Sequence, residues 1–206
     1  MSSDWYRNRT WNESIERWFE EKLKKSRLKE QYLRIQASTL AKTHPEEALR
    51  LLDRYFEFPK DHEHAQAHCD RATALIALGR IDAAADAYDA AIRREEEYSK
   101  LKTQAWLELP FFVAVRKIAE RYERAVQLLE THSDQLLFPV DRFKWHAAQA
   151  LIAAEQGKTE DSSKHADMAL QAARSDYSGF DSHPSAGLVG DKFDDVSESL
   201  KQLLGD

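Results

Sequence analysis

The chain holds a single cysteine among 206 residues, Cys69, so it has no partner for an internal disulfide. Glycine and proline number only 6 and 5, too few for the turn-rich patterning of a β-sandwich or barrel. No apolar run is long enough to cross a membrane as a helix. The opening residues, Met1 to Arg7, lack the apolar centre of a signal peptide. A phosphate-binding glycine loop, a dinucleotide fingerprint and kinase signatures are all missing. Basic residues do not gather into a stripe with interleaved aromatics, which argues against nucleic acid as a partner. These absences lead to an expectation of a cytoplasmic, cofactor-free, non-enzymatic chain that touches neither membrane nor nucleic acid, as a monomer or weak homodimer.

What is present is helical. A hydrophobic content of 42% beside 32% charged residues is enough to build a core and too much for disorder. The net charge of -6 is uneven. Residues 175–206 carry seven acids against Lys192 and Lys201, a local charge of -5, which leaves -1 for residues 1–174.

The most regular stretch is Gly79 followed by Ile81, Ala84, Tyr88 and Ala91, a glycine turn opening a helix with small residues at fixed offsets. A second copy starts at Gly157, with Ala166 and Ala169. Weaker copies begin near Thr43, with Pro45, Ala48 and Leu52, and near Ala119, with Tyr122, Ala125 and Leu129. A recurring unit of this length points to stacked helix pairs.

Thr10 and Glu13 have the spacing of a capping box, and Trp11, Ile15, Trp18 and Phe19 then share one face. Trp11 and Trp18 fit either a packed N-terminal cap or an aromatic docking surface. A bend near Ser26 divides residues 11–44 into two helices. Asp82 is placed as an N-cap. Pro110 is expected in the first turn of a helix or at a kink, and that helix is expected to run to Ile118 or Ala119. Phe138 to Asp141 reads as a break with an N-cap. The segment from Ser178 to Gly190 is a loop with two placements open, across the end of the last pair or back into the groove. Asp191 to Leu204 forms a short amphipathic helix.

His62, His64, His68 and Cys69 have partly metal-like spacing. Cys69 points well away from His68 on a helix, so the set does not converge, and an exposed helix start is the simpler reading. Pairing Cys69 with a histidine for nucleophilic catalysis lacks an oxyanion site and an orienting group. No catalytic or metal-binding residue is assigned.

The repeat resembles the tetratricopeptide repeat. Gly79, Ala84, Tyr88 and Ala91 match its pattern, with Ile81 in place of its usual aromatic. The other copies depart from it: the first lacks the glycine and has Tyr55 at the last small position, the third has His132 there, and the fourth has Thr159 and Ser162. The resemblance covers residues 29–173. The whole chain is also similar to a group of bacterial repeat proteins of uncertain role, through Asp4 to Arg7, Gln31 to Ala37 and Ser178 to Val189.

The resemblance implies an all-α, right-handed superhelical stack of about four pairs, at 29–58, 63–100, 103–134 and 141–174. An N-terminal cap spans 1–28, and a loop with an acidic capping helix spans 175–206. It further implies a protein or peptide partner in a groove lined by first helices, at Leu33, Ala37, Gln66, Cys69, Thr73, Leu107, Lys144, Ala147 and Leu151. The family's carboxylate clamp is not matched, since Leu33, Ala37, Asp70, Leu107 and Phe111 stand at its positions. A second reading, drawn from the acidic tail, is an immunity- or antitoxin-like protein that neutralises an enzyme.

Overall fold

A computed structural model describes residues 4–59, 63–98, 102–181 and 183–205. Helix makes up 72% of the chain, about twice the usual share, and no strand occurs among the described residues, so the class is all-α. The described residues form ten helices: α1 Glu13–Lys25, α2 Lys29–Leu40, α3 Pro45–Phe56, α4 His64–Ala77, α5 Ile81–Glu97, α6 Ala105–Val115, α7 Tyr122–Thr131, α8 Pro139–Glu155, α9 Thr159–Ala173 and α10 Asp194–Leu204. Three single 3-10 turns precede or follow them, at Ala119–Arg121, Ser133–Gln135 and Asp191–Phe193. The chain divides into two compact units, residues 1–105 and 106–206.

In the first unit α2 packs on α3 and α4 on α5, while α2 also meets α4 and α3 meets α4. The core joins Phe19 and Leu23 of α1 to Leu33, Ala37 and Leu40 of α2, Ala48, Leu51, Leu52 and Tyr55 of α3, and Ala67 and Ala74 of α4. Asn12, not Thr10, caps α1: its side-chain oxygen accepts from the backbone N–H groups of Ser14 and Ile15, each at 3.0 Å. Thr10 lies two residues outside the cap and is too early to serve. Lys22, Lys24 and Lys25 close the helix at its negative end. Trp11 packs edge-on against Phe19 and joins the core, whereas Trp18 is 40% exposed.

Three turns share one hydrogen-bond pattern. After α4, Gly79 has φ +69°, and the N–H groups of Gly79 and Arg80 donate to the carbonyls of Ile76 and Leu75. After α8, Gly157 has φ +73° and repeats the pattern with Ala154 and Ala153. After α6 it occurs again at Lys117, φ +54°, with Ala114 and Val113. This is the paired closure that ends many helices through a left-handed residue. It stops α6 at Val115, short of the expected Ile118. It also begins α5 at Ile81, with Arg80 rather than Asp82 in the cap position.

In the second unit α8 packs on α9, and α10 lies against both. Phe143, Ala147 and Ala150 of α8 share one core with Ala166, Ala169 and Leu170 of α9 and with Phe193 and Leu200. Pro139 takes the first turn of α8. Asp141 sits at the third helical position rather than as the cap, and its Oδ2 accepts from the Phe138 N–H at 3.0 Å. Pro110 is the sixth residue of α6, inside the helix and past the first turn, one of the two places expected for it. A proline there costs about 3 kcal/mol. Trp106, Leu107, Leu109, Phe112, Val113 and Ala114 are all buried on the same helix. At about 1.5–3 kcal/mol for each large apolar side chain buried, they outweigh it.

The shared turn makes a comparison possible. Gly79→Ala and Gly157→Ala should each lower stability by about 1 kcal/mol. Lys117→Gly should act in the opposite direction and raise the urea midpoint. Equilibrium denaturation of the three variants checks both signs.

Candidate functional site

The α2–α4 face of the first unit carries a buried polar network. Arg34 and Ser38 stand one turn apart on α2; Gln66, Asp70 and Thr73 share a face of α4. Asp70 is 6% exposed. Its Oδ1 accepts from Ser38 Oγ at 3.1 Å and Gln66 Nε2 at 3.3 Å, and its Oδ2 from Arg34 at 3.2 Å. Arg34 also spans both oxygens of Glu63, at 3.0 and 3.2 Å. Burial raises the Asp70 carboxyl above its ordinary range, opposed by Arg34, Gln66 and Ser38. Burial works against the Arg34 charge too, but Glu63 and Asp70 more than offset it and hold the guanidinium above its usual value.

An N-terminal arm packs on the opposite side of α2 and reaches the cleft only at its end. Gln36 is fully buried, and its Oε1 accepts from the Asn8 backbone N–H at 3.0 Å and from Asn8 Nδ2 at 2.8 Å. Its Nε2 donates to the Asn8 carbonyl at 2.8 Å. Trp5 and Tyr6 of the arm pack on Tyr32, and Trp5 also on Phe19. The clamp on Asn8 sets the next residue, Arg9, at the edge of a cleft of about 400 Å³, lined also by Ser38, Thr39, Ala41, Lys42, Thr43, Asp70 and Thr73.

The nine groove positions from the sequence separate here. Thr73 lines the cleft, Gln66 is exposed beside it, and Cys69 is half-buried near the Thr103 hydroxyl. Leu33 and Ala37 are 1% and 0% exposed and belong to the core, so they line nothing. Their neighbours Arg34 and Ser38 take the outward direction instead. In the second unit Leu107 and Ala147 are likewise buried, at 1% and 0%. Lys144 is ion-paired with Glu108 and lies over the rings of Phe111 and Phe193. Leu151 packs on the core that Phe193 and Leu200 complete. The C-terminal helix thus covers the face of α8 assigned to a partner.

The segment before α10 lies against the start of α8. The Val140 N–H donates to the Gly187 carbonyl at 2.9 Å, and the Phe138 and Phe180 rings stand 5.3 Å apart. Gly187 has φ +73°, and a Cβ there would lie 2.3 Å from the Phe138 ring. His64 packs against Tyr55 and Phe56, and His68 stacks on Phe56. His62 lies outside the described residues. Among the described residues no three His, Cys, Asp or Glu side chains form a metal-holding group.

A feature with no sequence signal is the contact of His146 on α8 with His165 on α9. Their Nδ1 atoms are 3.0 Å apart and the ring centroids 5.2 Å apart. The rings therefore meet nearly end to end, as a donor meets an acceptor, rather than at the bent angle of two ligands on one ion. Burial, then His165 and Lys164, lowers the His146 pKa from 6.5 to about 4. Burial and Lys164 also lower that of His165, against Asp161.

Between those values the unfolded chain binds more protons than the folded one. Stability from this pair is complete above pH 6.5 and falls as the pH drops toward 4. His146→Phe should flatten that part of the stability profile, measured by denaturation at pH 7.5, 6, 5 and 4.5. A profile as steep as the wild type's contradicts it.

No family model, curated protein or solved structure matches the chain.

Proposed function

We propose that the chain is a non-enzymatic interaction scaffold of tetratricopeptide-like helix pairs, and that it docks a protein partner on the α2–α4 cleft of its first unit. The repeat reading is supported by the left-handed turn at Gly79, Lys117 and Gly157 and by the alanines buried between paired helices. The docking reading rests on one observation. The α2–α4 face keeps an open cleft over an ordered polar floor, while α10 occupies the corresponding face of α8. A floor of fixed hydrogen bonds presents a partner with a surface that needs little reordering.

The cleft favours an extended segment with one polar anchor, because the surface its lining residues expose is mostly apolar and its free polar groups are few. Exposed Asp191, Asp194, Asp195 and Glu198 around the start of α10 keep the neutraliser reading as the second one.

A photo-crosslinking amino acid at Thr73, compared with the same group at exposed Glu160 on α9, tests the docking surface in cells. A discrete adduct from position 73 and none from 160 is expected. Adducts from 160 alone would move the partner to the second unit and sink the reading.

A further inference from the structure

Building on that docking reading, we infer that the group a partner inserts into the α2–α4 cleft is a phosphoryl dianion on a peptide side chain, held between Arg9 and Lys42. The cleft contains an acid, Asp70, but that acid is committed. Both of its oxygens accept hydrogen bonds, from Ser38, Gln66 and Arg34. The hydroxyls of Thr39 and Thr73 donate to the carbonyls of Ile35 and Cys69 within their own helices. The Thr43 hydroxyl lies 3.0 Å from Nδ1 of His44. The donors left for a ligand are the Arg9 guanidinium and the Lys42 ammonium.

Neither side chain has a hydrogen-bond or ion-pair partner among the described residues. Arg34, Arg50, Arg54 and Arg71 of the same unit are each paired with a carboxylate. Lysines such as Lys22 and Lys24 on α1 also lack a carboxylate among the described residues, but Arg9 and Lys42 share one cleft. They also come from different elements. Arg9 follows the arm's clamp on Gln36, and Lys42 follows the end of α2. An anion that uses both must bridge them. A carboxylate offers two oxygens in one plane, which one arginine fork can use up. A phosphoryl group offers three around a tetrahedron, two for the fork of Arg9 and one for the point charge of Lys42. A cleft of about 400 Å³ is large enough for such a side chain.

The test uses the full chain and labelled alanine pentapeptides with a central phosphoserine, serine or glutamate, read by fluorescence anisotropy. The phosphoserine peptide should bind at least tenfold tighter than either counterpart, and inorganic phosphate should compete. The double variant Arg9→Gln, Lys42→Gln should lose at least tenfold while its circular dichroism and melting remain those of the wild type. Amide shifts on adding phosphate should centre on Ser38 to Thr43 and Thr73. Equal binding of the glutamate peptide, unchanged binding by the double variant, or shifts centred elsewhere would each overturn the inference. A Thr73 adduct that survives the double substitution leaves docking standing and removes the phosphoryl group. Phosphopeptide binding without any adduct removes partner docking in cells and keeps the anion site.

Discussion

Paired helices in this chain meet through alanine. Ala37, Ala48, Ala67, Ala74, Ala84 and Ala91 in the first unit, and Ala147, Ala150, Ala166 and Ala169 in the second, are all fully buried. A single methyl at the contact lets two helix axes approach closely, and any larger side chain there forces them apart at about 1–3 kcal/mol. Close axes in turn demand short connections. The left-handed residue after α4, α6 and α8 supplies one by satisfying the last carbonyls while reversing the chain. Larger residues such as Tyr55, Leu52, Phe143 and Leu170 fill what lies beyond the contact.

That close packing leaves little room for polar atoms, so the buried polar groups of α2 and α4, Gln36 and Asp70, stand out. Gln36 exchanges three hydrogen bonds with Asn8, and Asp70 accepts three more. A hydrogen bond of this kind adds about 1 kcal/mol net, while an orphaned buried group costs about 1–3 kcal/mol. Such groups hold because every partner is in place. They also fix geometry: Gln36 sets where the arm lies, and Asp70 sets the distance between Arg34 on α2 and Gln66 on α4.

The helices, the glycine turns and the alanine positions were legible because they obey local rules of spacing and backbone freedom. Lys117 was not, since a lysine at φ +54° carries none of the signal that glycine gives at the same place. Surface exposure on α2 and α4 was half legible. Gly79 fixes the phase of α4, so Gln66 and Thr73 emerge at the surface. The first pair has no such glycine. Its turn closes instead through the N–H groups of Thr43 and His44 onto Leu40. An alignment by glycine therefore misses α2 by one residue, which replaces Arg34 and Ser38 with the buried Leu33 and Ala37. In the second unit Phe193 and Leu200 join the core of α8 and α9, a contact some fifty residues away in sequence that no periodicity on α8 reveals. The Asn8–Gln36 and His146–His165 contacts are invisible for the same reason: polar pairs far apart in sequence leave no pattern.

Residues 4–12 of the arm form no helix or strand, and their grip on α2 is concentrated in one glutamine and two aromatic rings. Segments held this way are where proteases act, because cleavage follows the fraction of time they are lifted. Lifting the arm carries Arg9 off the cleft and strips Gln36 of all three bonds at once. Nicking within residues 4–9 would therefore change the cleft's charge and leave a buried amide of α2 without its partners. The charge at the cleft thus depends on a segment that lies outside every helix.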